Sequence, residues 1–184
     1  MKNLIFPAFA LFLISCNNGE TKTVEVSKTV DTTETMAPPT KLDLPYKFSY
    51  EGTAVMGNPE NVKIVMDFNH DFASGNTDNI GSYFADSVHV VFADGSGSAT
   101  IRDSAAAMVK GWRNTMSDIQ LSYISAMAVN NQTTGDEWVF QWIDEADNYK
   151  DGKKVHHALH EDYRLVNGKI REMIQYAQAI PVKK

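Results

Sequence analysis

The sequence predicts one α+β domain, with helices packed on an antiparallel sheet, carried behind a leader and a tether. Three observations predict it. Apolar residues recur at helical spacing between Asn58 and Met116. After Gln120, four strand-like runs are separated by turns rich in Asn and Gly. Residues 17–40 are rich in Thr and charge, hold Pro38-Pro39 and carry almost no large apolar side chain. Such a segment buries too little surface to offset its ordering entropy and reads as a tether.

The leader comes first. Met1-Lys2-Asn3 is a short positive start, and Leu4–Ile14 is an apolar run. That run is too short to span a bilayer, which takes about 20 residues, and it has the length of a secretory signal. It ends in Leu13-Ile14-Ser15-Cys16, which resembles the lipobox of bacterial lipoproteins, and Cys16 is the sole cysteine of the chain. The resemblance implies cleavage after residue 15, a thioether diacylglycerol on Cys16 and an amide-linked third chain such as palmitate. Several acyl chains give stable membrane anchoring where one is marginal. Asn17 in place of Asp points, by the enteric sorting rule, to the outer membrane of the bacterial envelope. The expected boundaries are 1–15 signal peptide, 16–57 lipidated terminus and tether, and 58–184 folded domain.

The chain has 184 residues and a formal net charge of −6. Removing residues 1–15 removes Lys2, leaving 16 basic against 23 acidic side chains, or −7. This balance excludes nucleic acid as a partner, since the electrostatic footprint of such binding is a basic patch. With Cys16 acylated, no thiol remains for disulfides, thiolate metal sites or redox chemistry.

Within the domain, Leu42 to Val55 reads as a short strand or packed arm, because Tyr46, Phe48 and Tyr50 alternate. Asn58 caps a helix with Pro59 at its first position. Val62, Val65, Met66, Asn69 and Phe72 form its inner stripe, and Gly75-Asn76 ends it. A second short helix is expected over Thr77 to Phe84, broken by Ala85-Asp86-Ser87. Val88 to Phe92 is a strand, ended by Ala93-Asp94-Gly95-Ser96-Gly97. Asp103 or Ser104 caps a third helix running to about Met116, with Met108, Val109 and Trp112 on its stripe. Strands follow at about Gln120–Val129, Glu137–Glu145, Lys154–Leu165 and Lys169–Ala179. Asn167-Gly168 between apolar runs is a strong hairpin signal.

Helix, helix, strand, helix and a four-strand meander is the element order of the NTF2-like cone. Phe84-Ala85-Asp86 and Tyr163-Arg164-Leu165-Val166-Asn167-Gly168-Lys169-Ile170 are similar to patterns of SnoaL-like and ketosteroid-isomerase-like members. The resemblance covers about Asn58 to Ile180. It implies three N-terminal helices on a curved, mostly antiparallel sheet that leaves one cone-shaped pocket. Function does not follow from the fold.

The same resemblance tests the chemistry. Ketosteroid isomerases use a carboxylate base, a tyrosine and a protonated acid. Here those positions fall on Phe92, Phe68 and Glu161, so one carboxyl survives. Asp94 lies two residues beyond Phe92, faces the same way and could replace the base. Epoxide-hydrolase-like members place an aspartate where this chain has Gln175, and an amide is no general base.

Read from its own residues, the strand Val155 to Leu165 puts His157, Glu161 and Tyr163 on its more apolar face. His157 and Glu161 stand about 13 Å apart along it and cannot bond each other. Each needs a partner on a neighbouring strand or a ligand. His156, His157 and His160 suit no common metal site, because neighbouring residues point to opposite faces. Trp138, Phe140 and Trp142 share a strand face that is core, a dimer face or an aromatic pocket wall. Asp94-Gly95-Ser96-Gly97-Ser98 lacks the lysine of a phosphate loop and is a plain turn.

The expectation is therefore a lipid-anchored binding or accessory protein without cofactor or metal, holding a small apolar or aromatic ligand. Its expected pocket residues are His157, Glu161, Tyr163, Trp138, Trp142, Phe92, Phe68 and Gln175. The first alternative is a SnoaL-like isomerase or hydrolase using Glu161 or Asp94 as acid or base with His157 as partner. The second is a protein–protein module that forms a homodimer through its sheet.

Overall fold

The computed structural model describes residues 45–46 and 54–181. The expected signal peptide, Cys16, the tether, and Phe48 and Tyr50 lie outside the described residues. Among the described residues no helix is long and apolar enough to cross a membrane.

The sheet starts earlier than the expected domain boundary, with β1 (Ala54–Met56). Helix α1 (Pro59–Ser74) follows, and Asn58 caps it by accepting a hydrogen bond from the Glu60 backbone N–H. Gly75 ends it at φ 82°, the left-handed conformation that glycine adopts without steric cost. The expected second helix is only a 3-10 turn, Ile80–Tyr83. Strand β2 (Phe84–Val91) begins at once and absorbs the Ala85-Asp86-Ser87 stretch expected to break the helix. A hairpin over Asp94-Gly95 leads to β3 (Gly97–Ile101), a strand the apolar pattern does not announce. Helix α2 (Arg102–Arg113) then packs beside the 3-10 turn and β2. Among the described residues the domain thus has two α-helices rather than three.

The meander forms as expected, with the first three strands longer: β4 (Met116–Asn131), β5 (Glu137–Tyr149), β6 (Lys154–Val166) and β7 (Lys169–Ala179). Asn167 and Gly168 take φ 51° and 68°, the pair of positive angles that a two-residue hairpin turn of type I′ requires. The seven strands are ordered β1-β4-β5-β6-β7-β2-β3. All neighbours are antiparallel except β2 and β7. Register shifts between Tyr123 and Ser125 in β4 and between Phe84 and His89 in β2 mark bulges, which bend strands and let the sheet curve.

The helices cover one face of the sheet. Val65, Phe68, Ile80, Val88, Val139 and Ile170 are buried between them. Arg113 locks the far end of α1. It donates from Nε to Phe72 O at 2.9 Å, from Nη2 to Ala73 O at 3.0 Å and from Nη1 to Met116 O at 3.0 Å. The first two are carbonyls of the last turn of α1, which a helix C-terminus leaves without intrahelical partners.

Candidate functional site

A cavity of about 390 Å³ lies between the helices and the curved sheet. Its walls are largely aromatic and aliphatic. Phe68 and Phe72 come from α1, Phe84 and Val90 from β2, and Trp112 from α2. Trp112 packs on Phe72 with ring centroids 5.3 Å apart and edge-on to Phe92 at 6.0 Å.

Polar groups enter from the sheet at a few points. Glu161 is 6% exposed and sits mid-β6, opposite Gln141 of β5 and Gln175 of β7. That register makes a row of three inward polar side chains. Gln141 Nε2 donates to Glu161 Oε2 at 2.7 Å, Gln175 Nε2 donates to Oε1 at 2.9 Å, and the Tyr163 hydroxyl donates to Oε2 at 2.8 Å. A buried carboxylate costs several kcal/mol unless its oxygens are so occupied. Asn69 of α1 joins the row from above, with Oδ1 3.3 Å from the Tyr163 oxygen. Burial pushes the Tyr123 hydroxyl up to about 12 and Tyr163 well above the usual phenol range.

A second acid lines the same cavity. Glu145 of β5 is pushed up to about 8 by burial first, then by the negative charges of Asp147 and Glu161. It carries its proton at neutral pH and stands beside Asp147, which is 4% exposed and itself raised by burial. Pairs of carboxyls whose environments separate their titrations are the pattern of acid and base roles.

The sequence-derived residues divide. Phe68, Phe92, Glu161, Tyr163 and Gln175 line the cavity, and Asp94 stands at its rim. Asp94 is fully exposed, and its bonds to the Ser96 hydroxyl and backbone N–H lower it from the ordinary carboxylate range. A carboxylate made less basic in open water does not fit the base role expected of it. His157 is outside the cavity walls, opposite Glu145 in the register and near Asp147. Trp138 and Trp142 are on the other face of the sheet. Val139, Gln141 and Ile143 take the inward positions of β5, so the alternating tryptophans must point away. Trp142 stacks on His160 with centroids 4.7 Å apart, and Trp138 stacks on Phe140. Trp112, Asn69, Gln141, Glu145 and Asp147 were not among the expected site residues. The signal for the last three was the same β5 alternation, read from the apolar rather than the aromatic positions.

No three or more His, Cys, Asp or Glu side chains among the described residues are grouped to hold a metal ion.

No family model matches the chain, and no curated protein matches it by sequence. Solved structures do match by shape. An LEH-like epoxide hydrolase from M. tuberculosis aligns at TM-score 0.55 and 12% identity, over 65% of this chain and 83% of that one. A putative polyketide cyclase from Acidithiobacillus ferrooxidans aligns at 0.54 and 14% identity, over 65% and 88%. A protein from Catenulispora acidiphila with a ketosteroid-isomerase-like fold, in complex with trimethylamine, aligns at 0.51 and 15% identity, over 62% and 84%. Two helices on a curved, mostly antiparallel sheet, with these likenesses in shape, give the chain the NTF2-like fold of ketosteroid-isomerase-like proteins.

Proposed function

We propose that this chain is an envelope lipoprotein, anchored through acylated Cys16, whose NTF2-like domain binds a small apolar or aromatic molecule in the cavity between helices and sheet. The observation that carries the binding reading is an open, apolar cavity of about 390 Å³ with a buried, hydrogen-bonded carboxylate, Glu161, in its wall. Sites for small molecules are typically of this size and kind, with apolar walls and a few placed polar groups. The lipobox at Leu13-Ile14-Ser15-Cys16 supports the anchor. The ligand-bound and small-molecule enzyme neighbours agree with a pocket of this use.

The test is binding of N-phenyl-1-naphthylamine, whose fluorescence rises in apolar sites, to the full chain. Val109 is half-buried in the cavity wall, and Val109→Phe extends into the open space. Saturable binding that this variant abolishes is expected. No binding, or binding indifferent to Val109→Phe, overturns the reading. Cys16→Ser moves the chain from the membrane to the soluble fraction if the anchor is correct.

A second reading is favoured by Glu145. A neutral carboxylic acid and a hydrogen-bonded carboxylate facing one apolar cavity are equipped for proton transfer. In that reading Glu145 donates a proton to a bound molecule while Glu161 orients it, and His157 acts only through Asp147. Turnover of a bound compound that is lost in both Glu145→Gln and Glu161→Gln would establish it.

A further inference from the structure

We infer that the molecule this cavity takes is an apolar amine, bound as its ammonium ion, with the positive charge on the Glu161 carboxylate and the apolar body against the rings of Phe72, Phe92 and Trp112. This rests on the cavity being a ligand site, and names what enters it.

Among the described residues, the cavity walls contain three carboxyl groups, Asp94, Glu145 and Glu161, and no Lys, Arg or His. Glu161 is 6% exposed. Its three hydrogen-bond partners are two amides and a phenol, all neutral. All three donate, so the carboxyl group acts purely as an acceptor, the role of the ionised form. A carboxylate offers about four lone-pair positions, which leaves one on Oε1 after the bond from Gln175. Buried charges in proteins are ordinarily matched by an opposite charge. Here no cation among the described residues of the cavity wall supplies one.

Ligands of other charge fit worse. An anion would meet Glu161 and the exposed Asp94 at the rim. A neutral molecule would displace water from Glu161 and leave its charge without a counter-ion. An ammonium group provides the counter-charge and the donor for the free position together, and hydrogen bonds between ionised partners are about twice as strong as neutral ones. Aromatic rings also attract cations over their faces, and Trp112, Phe72 and Phe92 form one packed wall of the cavity. The chain's net charge of −6 favours the approach of a cation.

The experiment is isothermal titration calorimetry of the full chain at pH 7 with three matched probes: 4-phenylbutylamine, 4-phenylbutanol and 4-phenylbutanoate. The amine is expected to bind about tenfold or more tightly than the alcohol, and the acid not at all. In Glu161→Gln the amine is expected to fall to the affinity of the alcohol, with the alcohol unchanged. Equal binding of amine and alcohol by the natural chain would overturn the inference while leaving the cavity a ligand site, and needs no variant to fold. An amine preference that survives Glu161→Gln would also overturn it. Failure of all three probes, together with failure of the naphthylamine dye, would overturn the ligand site and the inference with it.

Discussion

Replacing Glu145 by Gln should stabilise this protein at neutral pH, and the gain should grow with pH. Glu145 is pushed up to about 8 in the folded chain from an ordinary 4.5. Between those values the folded protein holds a proton that the unfolded chain has released. Stability from this group is therefore complete below 4.5 and is lost as pH rises toward 8, at about 1.4 kcal/mol per pH unit for one proton. At pH 7 the loss is about 2–3 kcal/mol, part of the proton's effect being shared with Asp147. Gln has the shape of the protonated acid, but it cannot ionise. Urea denaturation of the natural chain and Glu145→Gln at pH 5, 6, 7 and 8 reads the difference directly. The two curves should nearly coincide at pH 5 and separate by about 2–3 kcal/mol at pH 7 in favour of the variant. A separation that does not change with pH, or a variant less stable at pH 7, would refute the burial of an uncharged Glu145.

Other outcomes follow from the same geometry. Tyr163→Phe removes the hydroxyl that donates to Glu161 at 2.8 Å, and should cost about 1.5–3 kcal/mol in urea denaturation because the acceptor is charged. Asn58→Ala removes the side-chain acceptor for the Glu60 N–H at the start of α1 and should lower stability by about 1 kcal/mol, read as a shift in the thermal midpoint. Trp142→Ser should leave dye and amine binding unchanged in the fluorescence and calorimetric titrations, because Trp142 stacks on His160 on the sheet face away from the cavity.

The meander was legible because its strands are long and its turns are written in Asn and Gly. Asn167-Gly168 fixes one hairpin, and that register carries Glu161 to its place between Gln141 and Gln175. The short elements were harder to read. Ile80 and Tyr83 are spaced as on a helix, but Ile80–Tyr83 is only a 3-10 turn and Phe84 already belongs to β2. Strand β3, with the sequence Gly-Ser-Ala-Thr-Ile, has too few large apolar residues to show a period. In β5 the error was one of face. The eye goes to Trp138, Phe140 and Trp142, but burial of Val139 and Ile143 decides the direction, and Gln141 and Glu145 then turn inward with them. The pairing of Glu145 with Asp147, and the distance of His157 from the cavity, depend on cross-strand register and curvature that one strand's pattern does not contain.

The central claim is that the cavity holds a molecule in the living cell. Native mass spectrometry of the full chain, taken gently from its membrane, tests this most directly. A reproducible extra mass is expected on the natural chain, and Glu161→Gln should lose it while remaining folded. A bare chain mass in repeated preparations, identical for the natural protein and Glu161→Gln, would contradict it.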